Sequence, residues 1–158
     1  MRETLKNILF LECPTVFSLG KLGMDAPAES RYGICFGVEC GDGWFEIIRE
    51  ASVAIEKLNR EHNANIVAHQ IKEKFGTLRY YTGSYPAELS KQLGEIIDKA
   101  EKASETTCEK CGATASTQVN VSTRTGGWWT TQCDSCYEQT KKKDKRYKPD
   151  ETENDDGE

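Results

Sequence analysis

The chain has 158 residues, 37% hydrophobic and 30% charged, with 21 Lys+Arg against 26 Asp+Glu for a formal net charge of −5. That length holds one ordinary domain, or one domain plus a small module. No apolar run nears the roughly 20 residues of a membrane span, run 8–11 has no cleavable signal pattern around it, and the acidic balance argues against a protein that coats nucleic acid. A soluble intracellular protein is expected.

Residues 2–12 predict a short helix that stops before Pro14. Residues 18–30, with Gly20, Gly23 and Pro27, read as a loop. Residues 32–39 have strand character, with Ile34, Phe36 and Val38 alternating. Gly41-Asp42-Gly43 then breaks the chain, and Asp42 is expected to cap the helix that follows by accepting a free amide. Trp44, Ile47, Ile48, Ala51, Ile55 and Leu58 fall at helical spacing, with Trp44 placed to anchor the first turn. A glycine-flanked helix start also invites an anion, but Asp42 would repel a phosphate, so capping is the favoured reading.

Residues 66–71 and 77–82 predict a hairpin turning at Lys74-Phe75-Gly76. If Lys74 pairs with Thr77, Lys72 stands opposite Arg79 and Gln70 opposite Tyr81. Lys72, Lys74, Arg79 and Tyr81 then share one face, and Ile71, Glu73, Leu78 and Tyr80 share the face toward the helices. Like charges placed opposite each other need neutralising. Water, an acid such as Glu46 or Glu50, or a bound anion would each serve, so a solvated face and a ligand-binding face both stand as readings. Ser84-Tyr85-Pro86 opens the next helix, whose apolar stripe is Leu89, Leu93, Ile96, Ile97, Ala100 and Ala103.

That helix leads into the cysteines. Seven are present, an odd number, which argues against a full disulfide framework. Cys108-Glu-Lys-Cys111 and Cys133-Asp-Ser-Cys136 are two C-x-x-C pairs separated by 21 residues. Two residues between cysteines let both sulfurs of a tight turn point at one ion, and two such turns make a tetrahedral cage that suits zinc. Four thiolates leave no open position, so the predicted zinc is structural and not catalytic. Gln118 to Thr123 alternates like a strand and Trp128 to Thr131 returns from a turn, giving a zinc-ribbon-like hairpin. Cys13, Cys35 and Cys40 lack this spacing and are expected as buried thiols.

The end of the chain is split by charge. Lys141 to Lys148 carries six bases and one acid, and Pro149 to Glu158 carries six acids and no base. With almost no apolar side chain, it is expected to form a disordered tail. The predicted organisation is an α+β body over residues 1–106, a small β-sheet packed against two main helices. A four-cysteine zinc-ribbon-like module over 107–137 and a charged tail over 138–158 follow.

The order Gly41-Asp-Gly-Trp44, Lys72-Glu-Lys-Phe-Gly-Thr-Leu-Arg79, Cys108-x-x-Cys-Gly112, Gly126-Gly-Trp128 and Cys133-x-x-Cys136 resembles a group of small proteins encoded by bacteriophages and prophages. The likeness covers roughly residues 30–137. It implies a phage origin and a host-cytoplasm location, and brings no mechanism with it. Small phage accessory proteins often act by binding, some blocking a host defence protein and some sequestering a nucleotide signal.

Three functions are weighed. In the first, the protein is a binder of a host defence protein or of an anionic, nucleotide-like ligand, with Lys72, Lys74, Arg79 and Tyr81 as ligand-binding candidates and Trp128 and Trp129 extending the surface, since neighbours on a strand face opposite ways. The second is a nucleic-acid-binding ribbon, a transcription modulator using Arg124, Trp128, Trp129 and the basic run 141–146. A small nucleotide-degrading enzyme is the third, and its general base would have to be His62, His69 or a carboxylate. No Ser/His/Asp order, phosphate loop or paired-carboxylate signature is present, which favours the binder.

Overall fold

A computed structural model describes residues 1–18, 36–115, 117–123 and 126–143. Cys35, the expected strand over 32–35, most of the loop 18–30, Arg124 and the charged run beyond Lys143 lie outside the described residues. The architecture is α+β, a small sheet against helices followed by a zinc-ribbon-like module. No helix among the described residues is long and apolar enough to cross a membrane.

Helix α1 (Glu3–Glu12) ends just before Pro14, as its sequence demands. Strand β1 (Val38–Glu39) leads through a 3-10 turn at Asp42–Trp44 into α2 (Phe45–His62). Strands β2 (Ala68–Lys74) and β3 (Thr77–Thr82) form the hairpin, and α3 (Ser90–Ser104) follows a 3-10 turn at Ala87–Leu89. The sheet order is β1-β2-β3, with β1 parallel to β2 across the α2 crossover and β2 antiparallel to β3. The hairpin register is the one the sequence predicts: Lys74 opposite Thr77, Lys72 opposite Arg79, Gln70 opposite Tyr81. Strand β2 begins at Ala68 and not at Ile66, because the Ile66 amide and carbonyl bond instead to the Asn59 side chain at 2.8 and 3.0 Å.

One sheet face is dry. Ile71, Leu78 and Tyr80 are buried with Trp44, Ile48 and Ile55 of the α2 region and Leu89 and Leu93 of the α3 region. The polar groups inside are matched. Tyr80 Oη and Ser52 Oγ share a 2.9 Å hydrogen bond, and burial pushes the tyrosine hydroxyl well above its ordinary range. The Glu56 carboxylate, only 4% exposed, accepts from the amides of Thr15 and Val16 and from the Thr15 hydroxyl. Three donors on one oxygen keep that buried carboxylate satisfied.

Helix α3 also closes the sheet edge. The amides of Leu78 and Tyr80 point outward from β3 and donate to Ser104 Oγ at 2.9 Å and Glu101 Oε1 at 3.2 Å. An edge strand that would otherwise offer free N–H groups is thereby covered.

Asp42 does not cap α2. The N-cap of its own 3-10 turn is Gly41, with no side-chain cap bond. Asp42 Oδ1 instead accepts the amide of Arg2, the N-cap residue of α1, at 2.7 Å, and the carboxylate also pairs with the Arg2 side chain. The amide bond from Arg2 holds the Asp42 carboxyl below its usual range. The carboxylate therefore complements the positive end of a different helix.

Strands β4 (Thr117–Thr123) and β5 (Gly126–Gln132) pair antiparallel, and α4 (Asp134–Lys143) follows. Residues 138–143, assigned by composition to a disordered tail, form the later turns of α4.

Candidate metal centre and sheet face

The four cysteines of the C-x-x-C pairs converge. Their sulfurs all lie within 4.8 Å of one another, and the Cys111 and Cys133 sulfurs are 3.6 Å apart. A tetrahedron with metal–sulfur arms of about 2.3 Å has edges of about 3.8 Å, so the donor set fits one metal ion. Cys108 is buried, Cys111 exposed, and Cys133 and Cys136 lie between. The first pair sits on a tight turn closed by Gly112 N–H to Cys108 O at 2.9 Å, with Gly112 at φ +79°. Only glycine takes that conformation without cost. In the second pair, Cys133 precedes α4 and Cys136 lies in its first turn.

Local dipoles prepare the buried sulfur for a cation. Burial raises the Cys108 thiol, but amide hydrogen bonds from Cys133, Cys111 and Lys110 outweigh it and bring it down to about 7. Cys136 is pushed up to about 12, by burial first and then by the three neighbouring sulfurs. Four thiolates this close repel each other, and a bound cation would remove that repulsion. Cys13 and Cys40 are different. Both are buried and raised to about 12 by desolvation, the state of inert core thiols.

The first turn is docked on the body through backbone. Gly43 N–H donates to Glu109 O at 2.8 Å, and Gly41 N–H donates to Glu109 Oε1 at 2.8 Å. Trp44, fully buried, donates its indole N–H to Thr107 O at 2.8 Å. A β-carbon on Gly41 would overlap the Glu109 carbonyl, and one on Gly43 would overlap the Cys108 carbonyl and the Gly112 amide. The Gly-Asp-Gly-Trp segment is thus the seat of the first cysteine turn. Glu109 completes the link, its amide donating to Thr131 O at 2.8 Å and its Oε2 accepting from Thr130 Oγ1 at 3.2 Å. On the other side, Thr131 Oγ1 donates to Gly76 O at 2.5 Å, fixing the β2–β3 turn to β5. Neither Glu109 nor Gly76 was singled out from the sequence as part of this centre. The doubled glycine of Gly41-Asp-Gly43 is the signal that would have pointed to a close backbone approach.

The candidate ligand face lies on the other side of the sheet from the core. Lys72, Lys74, Arg79 and Tyr81 share it as the register requires. Lys72 Nζ stands 5.6 Å from the Tyr81 ring centroid and Lys74 Nζ 5.5 Å from that of Phe75, both within cation–π reach. Arg79 pairs with Glu101 of α3 at 3.6 Å. Its neutralising acid is therefore neither Glu46 nor Glu50, which pair with Arg49 and Lys99. Among the described residues, Lys72 and Lys74 have no ion pair. Glu39, beside Lys72 in the parallel register, accepts from Gln70 at 3.0 Å.

Trp129 lies opposite Asn120 and is 43% exposed. Trp128 lies opposite Val121 on the backbone, and its side chain is outside the described residues. Both histidines are exposed: His62 closes α2, and His69 stands on β2 beside Gly83. No protein-family model matches the chain, and no curated protein or solved structure does either.

Proposed function

We propose that the four cysteines hold one structural zinc ion, and that the chain is a non-enzymatic binding protein whose open sheet face captures an anionic, nucleotide-like ligand. The all-sulfur donor set favours zinc over hard, oxygen-seeking cations. Zinc would supply the cross-link that a module of about 30 residues cannot obtain from apolar burial. Four protein ligands leave it no open position for a reacting water.

The observation that carries the binding reading is the pair Lys72 and Lys74. Both stand over aromatic rings, and neither has an acidic partner among the described residues. Cations attract phosphate while rings offer a stacking surface for a base. The motif resemblance adds a setting: a phage accessory protein in the host cytoplasm that sequesters a nucleotide signal or blocks a host defence protein. A nucleic-acid ligand is the second reading, favoured by exposed Trp129 and by α4 ending in Lys141, Lys142 and Lys143.

The test is isothermal titration of the zinc-loaded chain with cyclic di-AMP, cyclic di-GMP and ADP-ribose. Saturable heat is expected with one of them, reduced about tenfold or more in affinity by Lys72→Ala, as expected for loss of a charged hydrogen bond. No heat with any probe, together with no change on substitution, removes the nucleotide reading.

A further inference from the structure

The β2–β3 turn holds a residue that the fold does not explain. Its two central residues are Phe75 and Gly76, with φ of +54° and +80°. Two successive left-handed residues are the pattern of a type I′ turn, where Asn-Gly is the favoured pair. A bulky aromatic side chain at positive φ is an outlier. Burial offers no compensation, because Phe75 is 68% exposed while Gly76 beside it is buried. The turn itself is held by Gly76, through the bond from Thr131 to its carbonyl. The Phe75 ring contributes nothing to that bond.

What surrounds the ring is suited to a ligand. Lys74 Nζ stands over it, and Tyr81, 42% exposed, lies on the same open face under Lys72. Trp129 begins next to the turn, its Cβ 3.6 Å from where a Gly76 Cβ would stand. Lys74, Phe75 and Trp129 thus meet at the hairpin tip, where the body meets the ribbon, with Lys72 and Tyr81 set back along the two strands. Strain kept at an exposed aromatic residue points to a binding role.

We propose that Phe75 is a ligand-contacting residue that stacks on the aromatic base of a phosphorylated ligand whose charge Lys72 and Lys74 hold. This inference rests on the reading of the sheet face given above and adds the base-recognition element to it. A free nucleotide and a single-stranded oligonucleotide share this chemistry.

The variant that tests it is Phe75→Asn, which supplies the residue the turn prefers. The zinc-loaded full chain and the variant are compared by thermal melting. Both are titrated with cyclic di-AMP, cyclic di-GMP, ADP-ribose and a fluorescent twelve-residue oligo(dT). The expected result is a variant that melts about 2–4 °C higher and binds roughly tenfold or more weakly, the scale of one lost base–aromatic stack. Retention of the weakening for oligo(dT) alone assigns the site to single strands, and for the small nucleotides alone to a free nucleotide. A variant that binds as tightly as the parent overturns the role of Phe75 and leaves the sheet-face reading intact. A variant that melts lower shows that the ring serves the fold, and overturns the inference as well. A parent chain that binds none of the four probes removes the sheet-face reading and this inference with it.

Discussion

A β-carbon on Gly43 would run into the Cys108 carbonyl and the Gly112 amide, both backbone atoms that have nowhere to go. Gly43→Ala is therefore expected to destabilise the chain by about 3 kcal/mol, the upper part of the overpacking range, read as a lower urea midpoint with an unchanged slope. An unchanged midpoint would show that the cysteine turn is not seated on Gly43. The sequence made Gly41 and Gly43 visible as breakers, but not as a seat, because their partner Glu109 lies more than sixty residues away. Asp42 was misread for the same reason. Its type and position suit a cap, and nothing local discloses that the amide it accepts belongs to Arg2 at the start of another helix. Local chemistry identifies what a residue can bond to, and only the tertiary path decides which group arrives.

Among the elements, the β2–β3 hairpin was the most legible. Charged and aromatic residues alternate with buried ones over both strands; the period of two rules out odd slips, and the two-residue turn at Phe75-Gly76 selects the register that keeps Ile71, Leu78 and Tyr80 inside. Strand β1 was legible as strand-like but not as a partner, since among the described residues its pairing is confined to Val38 and Glu39, in parallel, across a helical crossover. The covering of the β3 edge by α3 was not legible at all. Ser104 and Glu101 look like ordinary polar residues of a charged helix, yet they receive the outward amides of Leu78 and Tyr80. Ser104 is fully buried, so Ser104→Ala strands the Leu78 amide without water to replace the lost acceptor. A cost of about 1–3 kcal/mol is expected, with faster hydrogen exchange at Leu78 as the local signature. Protection at that amide equal to the parent's would show that α3 does not guard the edge.

At the scale of the whole molecule, the described residues join body and ribbon at Gly41–Gly43 on the first cysteine turn, at the Trp44 indole on Thr107 and at Gly76 on Thr131. If zinc holds the ribbon, chelation must be felt in the body. Treatment with a zinc chelator is expected to lower the melting temperature by roughly 10 °C or more, as a loss of several kcal/mol would. It should also shift Trp emission to the red, because the indole of Trp44 is anchored to Thr107, the residue before Cys108. A chelated chain with unchanged melting and emission would mean that the four sulfurs fold the ribbon without an ion. The α+β class and the four-cysteine cluster were both legible, since periodicity and C-x-x-C spacing are local signals. The contacts between the two parts were not, since each has a backbone atom on at least one side, and that atom carries no sequence signature.

Glu109 is counted with the cysteine turn by position, but its carbonyl and carboxylate bond to Gly43 and Gly41 of the body, while its amide and second oxygen bond to β5. A chimaera that grafts a foreign four-cysteine ribbon onto residues 1–106 would inherit the ion and lose this four-way joint. Such a transplant needs an acid between the first two cysteines and a threonine pair on the returning strand before it can be spliced in. Recombination by whole modules is correspondingly constrained, and the two parts travel best together.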